Sequence, residues 1–194
     1  MRLLPVFLAA CLFAATACSR SEAPAASSAA VAKPAVATTP GTDAQEPATP
    51  PAIAPNLLSF ANGTIMPLPT DALLVTAPIL MIDGSSIQNW VGDGKPQSFV
   101  FELPEAATLR MLEFDNDTSG MGGVDAGIKD LTVEVSTTSA TEGFQQVFAG
   151  SLAKGVNGQR FDIAKPVPGR WVRAIFPSNH GGESYSLAEL RAFG

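Results

Sequence analysis

From Asn56 to Gly194 the sequence predicts an all-β sandwich or barrel. Three observations carry that expectation. Apolar and polar residues alternate with period two, the alternating runs recur about every ten residues, and glycine, proline and asparagine stand between them. Helical periodicity over ten or more residues appears nowhere in this part of the chain.

Ser98–Leu103 sets Phe99, Phe101 and Leu103 on one face against Ser98, Val100 and Glu102 on the other. After Pro104, a second run from Thr108 to Phe114 places Leu112 and Phe114 together. Lys129–Ser136 alternates Leu131, Val133 and Val135 with Thr132 and Glu134. Gln145–Leu152 and Gln159–Ile163 follow. In Arg170–Phe176, Val172, Ala174 and Phe176 face opposite to Trp171, Arg173 and Ile175; Arg170 and Arg173 are expected on the outer surface or its rim. The last run is Ser186–Phe193. The large residues of these runs, with Trp90, suit the space between two sheets, so Trp90 is expected in the core rather than as a ligand platform.

The chain before this domain reads differently. MRLLPVFLAACLFAATAC has a charged start, a short apolar region from Leu3 to about Ala15, and small residues before a cysteine. That is the outline of a secretory signal, too short for a membrane-spanning helix. Ala15-Thr16-Ala17-Cys18 resembles the lipobox of bacterial lipoproteins, which implies cleavage after residue 17 and lipid attachment at Cys18. Leu8-Ala9-Ala10-Cys11 fits the lipobox better by letters, but it leaves an apolar region near the lower limit. The chain has two cysteines, and both lie here, so the domain itself forms no disulfide. Ser19 after Cys18 resembles the default outer-membrane signal of Gram-negative lipoproteins; neither face of that membrane is indicated. Residues 18–55 are mostly Ala, Pro, Ser and Thr without an aromatic, a composition that cannot offset the entropy of ordering, and they read as a disordered tether.

Residues 56–194 suffice for one domain with a core and not for two. They carry nine Lys/Arg against fifteen Asp/Glu. No basic face is available to neutralise phosphates, which argues against nucleic acid and against electrostatic docking on anionic lipid.

The order of several short segments resembles a known family. Asp83-Gly-Ser-Ser-Ile-Gln-Asn-Trp90 looks like a D-G-x-x-x-T-x-W segment. It precedes Pro96–Leu103, Gly127–Ser136, Gly169–Arg173, Asn179-His-Gly-Gly182 and Leu187–Gly194. The succession is similar to coagulation factor V/VIII type C domains, also called discoidin or galactose-binding-like domains, across about Leu57 to Gly194. The resemblance implies an eight-stranded jelly-roll sandwich with neighbouring termini, usually a binding module and in bacteria often one for carbohydrate. It also implies one structural calcium ion near the D-G turn, at the positions of Asp83 and Glu189. Ser85 stands where Asp or Asn is common and Gln88 where Thr is usual; both offer oxygen with less charge. A calcium ion wants six to eight hard oxygens.

A second calcium candidate is DNDTSGMGGVDAG, residues 115–127. Asp115, Asp117, Ser119 and Gly120 match the first half of an EF-hand loop, but Ala126 stands where a bidentate Glu is required, and strands flank it. The resemblance instead implies that this loop and the one around Asn179–Gly182 form a ligand face. Asp115, Asn116, Asp117, Asn179 and His180 have the planar polar groups that pair with sugar hydroxyls, and Tyr185 offers a ring. The same residue types dominate ordinary turns for backbone reasons. Catalysis lacks a residue set: there is a single histidine, His180, and no G-x-S-x-G turn. The sequence therefore points to a non-catalytic binding module, of carbohydrate, on a lipid-anchored envelope protein. A structural or protein-interaction module in an envelope complex is the alternative.

Overall fold

The computed structural model describes residues 54–68 and 76–194. The lipobox with Cys18 or Cys11, the signal sequence and nearly all of the tether lie outside the described residues.

The domain is a jelly-roll sandwich of antiparallel strands. β1 (Trp90–Gly92), β2 (Gln97–Thr108), β3 (Met111–Asp115), β4 (Ile128–Ser136) and β5 (Gln145–Ser151) are followed by β6 (Gln159–Asp162), β7 (Pro168–Asn179), β8 (Tyr185–Leu187) and β9 (Glu189–Phe193). One sheet has the order β2-β7-β4-β5, the second β6-β3-β9, and β1 pairs with β8 in a short ladder. Among the described residues only short 3-10 helices stand beside the strands, at Phe60–Asn62, Pro78–Ile82 and Val124–Ala126.

The alternation in sequence becomes the alternation of burial. Phe99, Phe101 and Leu103 of β2, Leu131, Val133 and Val135 of β4, and Val172, Ala174 and Phe176 of β7 point inward. They join Leu112, Phe114, Leu190 and Ala192 from the second sheet in one apolar core. Fully burying such a side chain is worth roughly 1.5–3 kcal/mol. Trp90 is completely buried, meeting Phe99 edge-on at 4.9 Å and Phe176 at 5.8 Å. It is core, as expected.

Two boundaries differ from the sequence expectation. The run Ser186–Phe193 is divided at Ala188, because the chain leaves β1 and crosses to β3 there: Leu187 pairs with Trp90 and Glu189 with Asp115. This split and the three-residue β1 bring the described strands to nine. β2 also continues through Pro104, with a register shift between Glu102 and Ala107 that accommodates a residue unable to donate a ladder hydrogen bond. The domain's start lies against its end: Leu57 N–H donates to Ala192 O at 2.7 Å, and Ala192 N–H donates to Asn56 Oδ1 at 3.0 Å.

Candidate functional site

Three loops are tied into one end of the sandwich: residues 116–127 after β3, 152–158 after β5 and 180–184 after β7. His180 N–H donates to Gly127 O at 3.0 Å, and Gly182 N–H donates to Asp125 O at 2.9 Å. The His180 ring Nε2 lies 3.1 Å from Leu152 O. Asp125 and Lys154 form an ion pair across two of the loops. The two glycine-rich loops thus share an end, and a third, Lys154-Gly-Val-Asn-Gly158, completes it. Its Gly/Asn composition was the available signal for that third loop.

The residues expected to face a ligand divide sharply. Asn116 is completely buried. Its Oδ1 accepts from Ile128 N–H at 2.9 Å, and its Nδ2 donates to Ile128 O at 2.8 Å and Ala153 O at 3.1 Å. Asp115 is also buried; one carboxylate oxygen accepts from Gly158 N–H at 2.7 Å and the other from Arg191 Nη2 at 2.8 Å. Asn116 is a clamp between loops, not a surface amide, and Asp115 is spent in the same way. This corrects the expectation for both: the fold consumes the hydrogen-bonding capacity a ligand would have used.

The remaining three stay at the surface. Asp117 is half-buried, and Ser119, bonding through its hydroxyl and backbone N–H, holds that carboxyl below the usual range. Its own N–H donates to the exposed Asn157 Oδ1 at 2.8 Å. Asn179 and His180 are half-buried, though Asn179 is engaged with its own loop, donating to Gly182 O and Ser184 O and accepting from Gly181 N–H. Tyr185 offers no ring to solvent: it is buried, with its hydroxyl donating to Pro177 O at 3.1 Å. The exposed apolar groups of this end are Met121, Val124 and Val156.

The close approach of two loops depends on Gly182. A Cβ there would lie 2.7 Å from Ala126 N and 2.8 Å from Asp125 C, both backbone atoms that cannot swing aside. Gly182→Ala is expected to push the loops apart at a cost of about 1–3 kcal/mol. A thermal melt of the purified chain checks it; an unchanged midpoint would show that the loops are not held this closely.

The D-G turn borders this end, where Asn89 Nδ2 donates to Met121 O at 3.3 Å. Asp83 Oδ1 accepts from Ser85 N–H at 2.8 Å, and Gly84 takes φ of 87°, which favours glycine. Gly84 N–H donates to Glu189 Oε1 at 3.2 Å. Glu189 is completely buried, and its Oε2 has no hydrogen-bond partner. Burial above all, with Asp83 and Asp115 nearby, pushes its carboxyl up to about 8 despite Arg191 and the Gly84 N–H. An orphaned carboxylate oxygen beside a second carboxylate fits a cation. Among the described residues no group of three or more His, Cys, Asp or Glu is arranged for a metal, so calcium here would need carbonyl oxygens beyond Asp83 and Glu189.

No protein-family model matches this sequence, and no curated protein matches it. Solved structures do. The chain is similar to the family 32 carbohydrate-binding module of Clostridium perfringens NanJ, solved with galactose: TM-score 0.57, 16% identity, covering 72% of this chain and 98% of that one. It is similar to a further C. perfringens module, CpGH89CBM32-5, solved with GalNAc-β-1,3-galactose: TM-score 0.55, 18% identity, 71% and 99% covered. A chitosan-binding module of a Paenibacillus sp. IK-5 chitosanase/glucanase gives TM-score 0.55, 18% identity, 72% and 98% covered. At these identities the likeness defines the fold. The domain shares the jelly-roll fold of these modules.

Proposed function

We propose that this domain binds carbohydrate without catalysis, at the loop end, and is displayed on a lipid-anchored cell-envelope protein. The observation that carries the reading is three loops bonded into one rigid rim on a galactose-binding-like fold, with Asp117, Asn157, Lys154 and His180 at its surface. Preformed polar groups bind hydroxyls at low entropic cost. The solved structures similar to it include modules described in complex with sugars, which supports the ligand class. Asp83 and Glu189, with main-chain carbonyls, would hold one structural calcium ion, whose charge would balance the buried carboxylate and pin the turn to β9. A glycan array and a polysaccharide pull-down, each with calcium and with chelator, test the binding; no retained glycan in either condition would sink it.

Lipid attachment at Cys18, with the chain on the bacterial outer membrane, rests on the lipobox and on Ser19. Cys18→Ala is expected to move the protein from the membrane to the soluble fraction of expressing cells. A variant that stays with the membrane would rule out Cys18 as the anchor.

The exposed Met121, Val124 and Val156 favour a second reading, a protein-interaction module in an envelope complex. Co-purification of a defined partner that is lost on Val124→Asp and kept on His180→Ala would select it.

A further inference from the structure

The outer face of the four-stranded sheet carries a built groove of about 290 Å³, separate from the loop end. Its floor is Ser98 and Val100 of β2 and Arg173 of β7, where Val100 and Arg173 are direct cross-strand neighbours. Arg173 is six residues from Asn179 along β7, roughly 20 Å of strand. One wall is Met66 and Leu68, and the other is Ala140 and Thr141 of the β4–β5 connection.

That connection is held in one shape. Ser136 Oγ donates to Glu142 O at 2.6 Å and accepts from Thr138 N–H at 3.0 Å. Ser139 Oγ accepts from Thr141 N–H at 3.2 Å and Glu142 N–H at 3.0 Å. The loop also delivers Phe144, whose ring lies 4.0 Å beneath the Arg173 guanidinium. From the side, Arg173 Nε donates to Glu134 Oε2 at 2.6 Å, and Nη2 meets the same oxygen. Arg173 is therefore fixed before any ligand arrives, stacked on an aromatic ring and clamped by a carboxylate. Among the described residues Nη1 has no hydrogen-bond partner, and Ser98 is exposed.

We propose that this groove is a second sugar subsite, taking a single neutral hexopyranose unit. Its volume is at the low end for small-ligand pockets and suits one ring. The aliphatic groups of Met66, Leu68, Val100 and Ala140 match the C–H face of a pyranose. The Arg173 N–H groups and the Ser98 and Thr141 hydroxyls match its rim. Charge selects against uronates and sulfated sugars: Glu134 already neutralises Arg173, and the chain carries a net −6. The subsite stands on its own geometry and does not depend on the loop-end reading.

An NMR titration of the full-length chain with methyl β-galactopyranoside, methyl β-glucopyranoside and N-acetylglucosamine tests it. At least one sugar is expected to give saturable shifts at Arg173 Nε–H and at the Ser98 and Thr141 amides. Ser98→Phe, an exposed strand position where an aromatic is well tolerated, fills the groove and should weaken that response by about tenfold or more. Arg173→Ala should do the same. No saturable shift at these three residues with any of the sugars, or shifts undiminished by Ser98→Phe, would overturn the proposal. Gly123 and Gly182 report the loop end separately. Shifts there alone would leave the loop-end reading standing and remove this one. Shifts at Arg173 alone would do the reverse.

Discussion

Asn116→Ala is expected to cost about 4 kcal/mol, a large share of a domain stability of roughly 5–15 kcal/mol. The side chain makes three hydrogen bonds inside a fully buried site, two to Ile128 and one to Ala153 O. Truncation leaves the N–H and C=O of Ile128 and the C=O of Ala153 short of a partner, and a buried group left unmade costs about 1–3 kcal/mol. Water could restore some of this by entering the space, so the sum falls below three full penalties. Asn116→Asp should fare no better, because a carboxylate in place of Nδ2 faces two carbonyl oxygens. The control is Asp117→Ala, one residue on: it is half-buried and its side chain bonds only within its own turn, so its effect should stay within about 1 kcal/mol. Urea denaturation midpoints of the three variants decide the matter. If Asn116→Ala and Asp117→Ala were equally mild, the clamp would not exist.

The two neighbours also mark where sequence reading stops. The alternation of Phe99, Phe101 and Leu103, or of Val172, Ala174 and Phe176, is written directly in residue order because strand geometry has period two. Sandwich and core are therefore legible in the sequence alone. β1 was not, since three residues are too few to show a period, and neither was the break at Ala188, which follows from a change of sheet rather than a change of composition.

Site residues pose a different difficulty. Asn and Asp in a glycine-rich loop bond equally well to a sugar hydroxyl or to a backbone amide, and nothing in DNDTSGMGGVDAG separates the two uses. What separates them is depth, which depends on residues far along the chain. Asp115 is spent on Gly158 and Arg191, and Asn116 on Ile128 and Ala153. The expectation that the 116–127 and 180–184 loops meet depended on the resemblance. In the structure it rests on two backbone hydrogen bonds and the absence of a Cβ at Gly182. The groove over β2 and β7 had a partial signal: period two placed Arg173 outward, but its pairing with Phe144 and Glu134 is long-range.

Glu189 carries the second large effect. In the folded chain its carboxyl is pushed up to about 8 from an ordinary value of 4.5, first by burial and then by Asp83 and Asp115. The folded state therefore holds this proton more tightly than the unfolded state, so between those values folding takes up a proton. Stability from this group is complete below pH 4.5 and declines as pH rises towards 8. In chelator the slope is at most about 1.4 kcal/mol per pH unit, and a few kcal/mol are lost across the range once solvent screening is allowed for. Glu189→Gln keeps an oxygen for Gly84 N–H and removes the titration. It is expected to match the wild type near pH 5 and to exceed it clearly near pH 8. Calcium should act oppositely on the wild type, because a cation favours the deprotonated carboxylate: its stabilisation should grow with pH and disappear in the Gln variant. Urea midpoints at about pH 5, 6.5 and 8, with chelator and with calcium, separate these cases. Wild type and Glu189→Gln running parallel in chelator would mean that the carboxyl is not proton-linked to folding. A pH slope without any calcium response would mean that the turn at Asp83 buries its carboxylate neighbour as an acid and holds no cation.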